Sequence, residues 1–203
     1  MKLPSFMLVA GMAAAVSLQS GDYVTHTPPA GGTQSPQSLR PKPPEPPGVL
    51  VGVGDSAPNF SHQTEDNRWG RLRDLLLQGP ALLVFGARDG ELQALERDRD
   101  ALLALGVVPV AVLDARGGTA WSTARRLALR FPVIPDARRV IAAQFNLVDD
   151  SGPRTLPAWF VVDRRGRVRA LRRGELPRRG YPRLAADALG LPARDEALPT
   201  VTR

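Results

Sequence analysis

The sequence contains no cysteine among its 203 residues, and this absence excludes several classes of function at once. Without a thiol the chain has no disulfide, no thiolate ligand for a metal, no thiol nucleophile and no lipidated N-terminal cysteine. The absence leaves the compartment open, because a cysteine-free chain suits an oxidising environment as well as a reducing one.

Histidine and lysine are also scarce. The two histidines, His26 and His62, lie too far apart for the spacing of a metal site. The sequence also lacks a phosphate-binding loop, a Gly-x-Ser-x-Gly elbow and a dinucleotide fingerprint. We therefore expect neither a metal nor a cofactor. Because Lys2 and Lys42 are the only lysines, nearly all 27 basic residues are arginine, and the net charge of +7 predicts an anionic partner.

Residues 1–20 are typical of a signal peptide or a membrane anchor. Lys2 gives a positive start, the run from Leu3 to Leu18 is uncharged, and Ala15-Val-Ser17 has the small residues that a signal peptidase requires. The run is short for a bilayer span of about 20 residues, which favours a cleaved signal over a retained anchor. We expect an exported protein, periplasmic or otherwise extracytoplasmic.

Residues 21–48 form a proline-rich linker that cannot build a packed core. The stretch from Arg40 to Pro47 contains a proline at most positions and is expected to be an extended, semi-rigid spacer of polyproline II type. The folded domain is predicted over residues 49–190, and residues 191–203 are predicted to form a flexible tail.

The domain alternates strands with helices. The unbroken apolar run Ala81–Phe85 predicts a strand buried on both faces, and Val107–Asp114 predicts a second strand parallel to it. The helix between them, Glu91–Leu105, is expected to bury its leucines, which are Leu92, Leu95, Leu102 and Leu103.

After the second strand we predict three more helices and a hairpin. The helices are Thr119–Arg130, Ala137–Phe145 and Tyr181–Leu189, and the hairpin joins Ala158–Asp163 to Arg167–Arg172. The candidate core residues of the first of these helices are Trp121, Ala124, Leu127 and Leu129. This order of elements predicts a three-layer α/β/α sandwich with a central mixed sheet.

Four stretches resemble one protein group. They are Val53-Gly-Asp-Ser-Ala-Pro-Asn-Phe60, Leu82-Leu-Val-Phe-Gly-Ala87, Phe131-Pro-Val-Ile-Pro-Asp136, and the stretch from Leu156-Pro-Ala-Trp159 to Val168. In this order they resemble the redoxins, which comprise the AhpC/TSA (peroxiredoxin-like) proteins and the thiol-disulfide reductases. The resemblance covers residues 51–189 and implies a thioredoxin-like fold.

The chain departs from that group where the group's chemistry resides. Redoxins follow the strand that ends at Phe85 with a loop that holds a reactive cysteine, as Thr-x-x-Cys or Cys-x-x-Cys. Here the loop is shortened and has neither cysteine, serine nor threonine before Glu91. The residues that would remain of an active-site loop are Arg88, Asp89, Gly90, Glu91 and Pro157. We therefore predict a degenerate site with no catalytic residue.

Several of these loop residues have predicted roles of their own. Asp89 is expected to be the N-cap of the following helix, and a second interpretation makes Arg88, Arg154 and the helix N-terminus an anion pocket. Pro157 resembles the cis-proline of thioredoxin-type reductases, and it stands nearest the position where peroxiredoxins place a peroxide-binding arginine.

Arginines dominate the C-terminal part of the domain. Between Arg164 and Arg183 there are nine arginines and a single acid, Glu175. The predicted partner-binding residues are Arg164, Arg165, Arg167, Arg169, Arg172, Arg173, Arg178 and Arg179. Strict strand alternation places Arg167, Arg169 and Arg173 on one face with Leu171 and places Arg172 on the other.

The arginines allow two interpretations. They form either a charged edge strand that prevents sheet-to-sheet aggregation or a docking patch for an acidic protein or an anionic lipid. Nucleic acid is not expected, because no aromatic residues interleave with the arginines.

The functional hypothesis is an exported, non-catalytic binding or accessory subunit that docks to a membrane-associated complex. The alternative is an oxidoreductase or antioxidant enzyme of the thiol peroxidase type, which the resemblance implies, or another activity in the cleft between Arg88–Glu91 and Pro157.

Overall fold

The computed structural model describes residues 50–148 and 154–192, which belong to one compact unit of the chain. The predicted signal or anchor, the predicted linker and all but two residues of the predicted tail lie outside these ranges. Within them no helix is long and apolar enough to cross a bilayer.

The described residues form seven strands and five helices. The strands are β1 (Ser61–Gln63), β2 (Trp69–Arg71), β3 (Ala81–Phe85), β4 (Val108–Leu113), β5 (Val133–Pro135), β6 (Ala158–Val162) and β7 (Val168–Arg173). The helices are α1 (Leu72–Gln78), α2 (Asp89–Ala104), α3 (Gly117–Arg126), α4 (Val140–Gln144) and α5 (Tyr181–Leu189).

Five strands form a mixed sheet in the order β5-β4-β3-β6-β7. The β3–β4 and β4–β5 pairs are parallel, whereas β6 is antiparallel to both β3 and β7. The strands β1 and β2 form a separate antiparallel pair. The predicted mixed sheet, the parallel crossover through α2 and the β6–β7 hairpin are therefore confirmed.

Both faces of the sheet are covered, which explains why β3 consists only of apolar residues. Leu83 and Phe85 pack on one face with α1 and α4, and Leu82 and Val84 pack on the other with α2, α3 and α5. Successive side chains of a strand point to opposite faces, so a strand between two helical layers must be apolar at every position. The predicted three-layer sandwich is confirmed.

The predicted core of α2 is correct except at one residue. Leu92, Leu95 and Leu102 are buried, but Leu103 is 40% exposed, and Ala94 is buried instead. At 3.6 residues per turn Leu103 lies about 100° around the helix from Leu102, which turns it away from the sheet.

The helix predicted over Thr119–Arg130 is shorter at its C-terminus, and α3 ends at Arg126. Ala128 has a φ of 51°, which reverses the chain, and Leu127 and Leu129 are half-buried beyond the helix end. The helix predicted over Ala137–Phe145 is also shorter, because Arg139, with a φ of 55°, stands before its first residue. The sequence did not predict β5, since Pro132 before it and Pro135 at its end are typical of a loop.

The segment before β1 lies along the outer edge of β7. The Gly54 N–H donates to Val168 O (2.8 Å), the Val168 N–H donates to Asp55 O (2.9 Å), and the Ala57 N–H donates to Gly166 O (2.7 Å). The first half of β7 is therefore a covered edge rather than an open one.

Candidate functional site

The junction between β3 and α2 consists of only three residues, Gly86–Arg88. Gly86 has a φ of 64°, and a Cβ atom at this residue would lie 2.9 Å from Thr155 O. This backbone conformation and this close approach both require glycine. The junction is therefore held directly against the segment Thr155–Pro157, which leads into β6.

Pro157 differs from its prediction. The peptide bond that precedes it is trans, so the resemblance to the cis-proline of thiol-disulfide reductases is wrong at this position. Pro157 continues directly into β6, and the residue before a proline favours the extended conformation that such a strand entry requires.

The first turn of α2 is capped by Glu91. The Arg88 N–H, at the N-cap position, donates to Glu91 Oε2 over 2.6 Å. The prediction that Asp89 is the N-cap is wrong, because the helix begins two residues earlier than expected and Asp89 is its first residue.

Asp89 has a different partner. Arg126 of α3 binds its carboxylate with two nitrogens, at 2.8 Å and 3.1 Å. The hydrogen bond from Arg126 lowers the pKa of the Asp89 carboxyl below its usual value, and the positive charge of that arginine acts in the same direction.

An open cleft of about 810 Å³ lies where β3 and β4 end. Of the five predicted loop residues, the structure brings four to its lining: Arg88, Asp89, Gly90 and Pro157. Glu91 does not line the cleft, because its carboxylate caps the helix. Arg154, the other arginine of the predicted anion pocket, lines the cleft as well.

Three polar residues of the lining were missed by the sequence analysis. Thr123 comes from α3, Asp114 follows β4, and Thr155 precedes β6, with its N–H donating to Asp114 Oδ2 (3.3 Å). They come from separate elements with no common motif. The position of Asp114 at the end of a buried strand was the only signal in the sequence.

The cleft offers charge and apolar surface but no thiol. Across the two described ranges, no group of three or more potential metal ligands is found. His62 lies in β1, away from the cleft lining, where burial lowers the pKa of its imidazole. The arrangement offers two arginines, two acids and apolar side chains to a bound molecule.

Two of the eight predicted partner-binding arginines stabilise the fold itself. Arg173 donates through Nη2 to Val51 O (2.8 Å) and Phe145 O (3.2 Å), and its guanidinium lies 5.4 Å from the centre of the Phe160 ring. Partial burial lowers the pKa of Arg173. Arg167 donates to Gly54 O (2.9 Å) and bonds the segment that covers β7.

The other six arginines differ in their partners. Arg172 pairs with Glu175 at 2.7 Å, and Arg169 lies 3.9 Å from Asp163. Four are exposed, and their guanidinium groups have no ion-pair or hydrogen-bond partner in the described part of the chain; we call them the docking arginines: Arg164, Arg165, Arg178 and Arg179.

The predicted alternation along β7 is wrong. Val161 pairs with Ala170 but Val162 pairs with Val168, so a bulge leaves Arg169 without a partner on β6. Val168 and Leu171 consequently pack against the same core cluster. Arg164 and Arg165, in the turn before β7, lie at the opposite end of this strand from Arg172 and Arg173.

Comparison with known proteins agrees with this geometry. Residues 53–171, a span of more than half the chain, match the model of the AhpC/TSA family. No curated protein sequence matches the chain significantly.

Three solved structures of similar fold are peroxiredoxins or related proteins. Peroxidoxin BcpB from Mycobacterium tuberculosis is 20% identical with a TM-score of 0.60, over 68% of this chain and 96% of that one. A reduced 2-Cys peroxiredoxin from Plasmodium vivax is 21% identical with a TM-score of 0.56, over 67% and 79%. AhpC from Enterococcus faecalis is 15% identical with a TM-score of 0.58, over 70% and 92%.

Proposed function

The chain belongs to the AhpC/TSA family, and we propose that it serves as a non-catalytic binding or accessory subunit built on that family's thioredoxin-like fold. The observation that carries the proposal is the absence of cysteine from all 203 residues. The position of Gly86 supports it, because the junction where redoxins hold a reactive thiol is packed against Thr155–Pro157.

The proposed subunit is exported and is tethered through residues 21–48 to a membrane-associated complex. Its partner carries an acidic surface, and anionic lipid headgroups provide a secondary contact. The net charge of +7 supports an anionic partner. Arginine suits this role because its planar guanidinium pairs bidentately with carboxylates and phosphates.

Only part of the arginine-rich sequence is available for docking. Arg167 and Arg173 bind backbone carbonyls of the domain itself, so their replacement would disturb the fold as well as the surface. The docking arginines carry no such internal role, and Arg164 and Arg165 stand together in the turn before β7. We therefore assign the contact to these two residues first.

The test is capture of partners from native membranes with the full chain and two variants of equal charge change. Arg164→Glu/Arg165→Glu reverses the proposed contact. Arg97→Glu/Arg138→Glu reverses the charge of two other exposed arginines that have no acidic partner within the described ranges. A partner captured by the wild type and the Arg97/Arg138 variant, but lost with the Arg164/Arg165 variant, supports the proposal.

Salt dependence provides the second measurement. Capture should weaken as NaCl is raised from about 0.1 M to about 1 M, because the screening length falls from about 10 Å to about 3 Å. The assignment of the contact to Arg164 and Arg165 would be contradicted by a partner that both variants retain, by a partner insensitive to salt, or by the capture of no partner at all.

A further inference from the structure

The cleft at the β3–α2 junction is a candidate ligand site that does not include the docking arginines. We propose that it binds a small organic carboxylate, with the anionic head between Arg88 and Arg154 and an apolar body against the floor of the cleft. Its volume of about 810 Å³ is adequate for such a ligand.

The charges of the lining favour an anion. Arg88 and Arg154 both line the cleft, and neither has a carboxylate partner in residues 50–148 or 154–192. Asp89 is neutralised by the two bonds from Arg126. Asp114 is the remaining acid of the lining, and it accepts the Thr155 N–H. Two cations therefore face one carboxylate.

Beside Thr123 and Thr155, much of the remaining lining is apolar, and this favours anions that carry an apolar part. The residues that contribute apolar surface are Ala87, Leu92, Leu113, Ala115, Leu156 and Pro157. A ligand pocket of this kind is suited to a molecule with one charged end and an apolar remainder, because a few placed polar groups fix its orientation. Inorganic phosphate would leave the apolar surface in water.

The mouth of the cleft is open on the side of α2. Nothing lies within 4 Å of the position that a Cβ atom of Gly90 would take. The first two N–H groups of α2, those of Asp89 and Gly90, have no acceptor within the helix, and they add a favourable dipole to the two guanidinium groups.

The proposal is tested by calorimetric titration of the full chain with straight-chain carboxylates from acetate to octanoate. Alcohols of the same lengths and inorganic phosphate serve as comparison ligands. We expect saturable binding of carboxylates that tightens with chain length, and weaker binding of both comparison sets. Alcohols or phosphate that bind as tightly as octanoate would overturn the proposal, as would no saturable binding in the series.

Two single variants locate the site. Arg88→Gln and Arg154→Gln should each weaken carboxylate binding by about tenfold or more, the usual consequence of losing a charge-assisted hydrogen bond. Both side chains are exposed, so circular dichroism should show an unchanged fold. Arg97→Gln, on the exposed side of α2, should bind like the wild type. Equal affinity in all three variants would contradict the assignment, and this result is independent of the capture experiment.

Discussion

Gly86 determines, at the scale of a single residue, what the β3–α2 junction can contain. Its φ of 64° and the 2.9 Å from a potential Cβ to Thr155 O leave no room for a side chain. Gly90, four residues later, lies in the helix with open space around it. Gly86 therefore cannot accept a side chain, whereas Gly90 can. The sequence alone does not distinguish the two glycines, because they lie in one short stretch.

We predict that Gly86→Ala destabilises the protein by about 2 kcal/mol or more, since an alanine in the left-handed region costs about 1–2 kcal/mol before the contact with Thr155 is counted. Gly90→Ala should stabilise it by up to about 1 kcal/mol, because alanine favours the helix. Urea denaturation of both variants measures these changes. Equal effects of the two substitutions would refute the packing described at the junction.

His62 makes stability depend on pH. Its ring is buried, and desolvation lowers the pKa of the imidazole. The backbone of Gln63 and the charge of Asp74 act in the opposite direction but do not reverse the shift. Because the folded state disfavours the charged form, the free energy of unfolding should decrease as pH falls below the usual value of 6.5.

The measurement is urea denaturation between pH 8 and pH 5 for the wild type, His62→Gln and His26→Gln. The decrease should level off below the pKa of His62 in the folded state. His62→Gln should remove the part of the pH dependence that begins near 6.5, while His26→Gln should keep it. A pH dependence that follows His26 would show that the assignment is wrong.

At the scale of elements, ion pairs connect α3 and the segment that follows it to α2. Arg126 binds Asp89 at 2.8 Å, and Arg130 binds Glu96 at 2.6 Å and Asp100 at 3.4 Å. These pairs are exposed, so each contributes little stability. Their structural consequence is local, because α3 supplies Thr123 to the cleft beside the first turn of α2.

We expect the Asp89 carboxyl to titrate below its ordinary pKa of 3.8 in the wild type and to move back toward it in Arg126→Gln. The contribution of this pair is present above the unfolded pKa and disappears as pH falls through the folded one. A carboxyl-detected NMR titration reports the value directly, with Arg97→Gln as the control. An Asp89 pKa that is the same in both variants would mean that the pair does not form.

The C-terminus of α3 offers a stabilising substitution. Ala128, with a φ of 51°, follows the helix, and the Leu129 N–H reaches back to Ala124 O (2.9 Å) while the Ala128 N–H reaches Arg125 O (3.1 Å). This is the Schellman arrangement, in which glycine is the favoured residue. Ala128→Gly should raise the unfolding free energy by about 0.5–1 kcal/mol.

Inside the helix, the same substitution of alanine by glycine is expected to lower the stability. Ala124→Gly should lower the unfolding free energy by about 1 kcal/mol, because glycine is a poor helix former. Urea denaturation at constant slope compares the two, and a loss of stability in both variants would contradict the assigned helix end.

The elements that could be predicted are those in which burial determines the positions of the apolar residues. The strand β3 and the helix α5 have the bounds that the apolar runs predicted, because each must cover a fixed surface. The bulge in β7 could not be predicted, since its sequence continues to alternate while the pairing with β6 shifts by one residue. The strand β5 is defined by its partner β4, not by its own three residues.

The cleft could be predicted only in part. The loop residues adjacent in sequence were identified, but Asp114 and Thr123 enter the cleft through the parallel pairing of β4 and the packing of α3. The roles of Arg167 and Arg173 were missed for a similar reason, as their acceptors Gly54 O and Val51 O lie more than 100 residues earlier in the chain.

At the scale of the whole molecule, a redoxin fold is retained without the thiol on which redoxin chemistry depends. The sheet order and the two covered faces account for the similarity to peroxiredoxins. The three-residue β3–α2 junction and its contact with Thr155–Pro157 account for the difference. The cleft at this junction therefore lacks a thiol nucleophile, and no loop longer than three residues stands between β3 and α2 to carry one.

The most direct measurement is the steady-state reduction of hydrogen peroxide, with dithiothreitol as reductant, by the full chain and by Arg88→Cys. The variant restores a thiol at the start of α2, where a helix N-terminus favours the thiolate. We expect no turnover by the wild type, and from Arg88→Cys a rate that, at equal thiolate concentration, does not exceed that of an exposed thiol in an unfolded peptide. Saturable turnover by either protein, lost on unfolding, would contradict the loss of the redoxin active site.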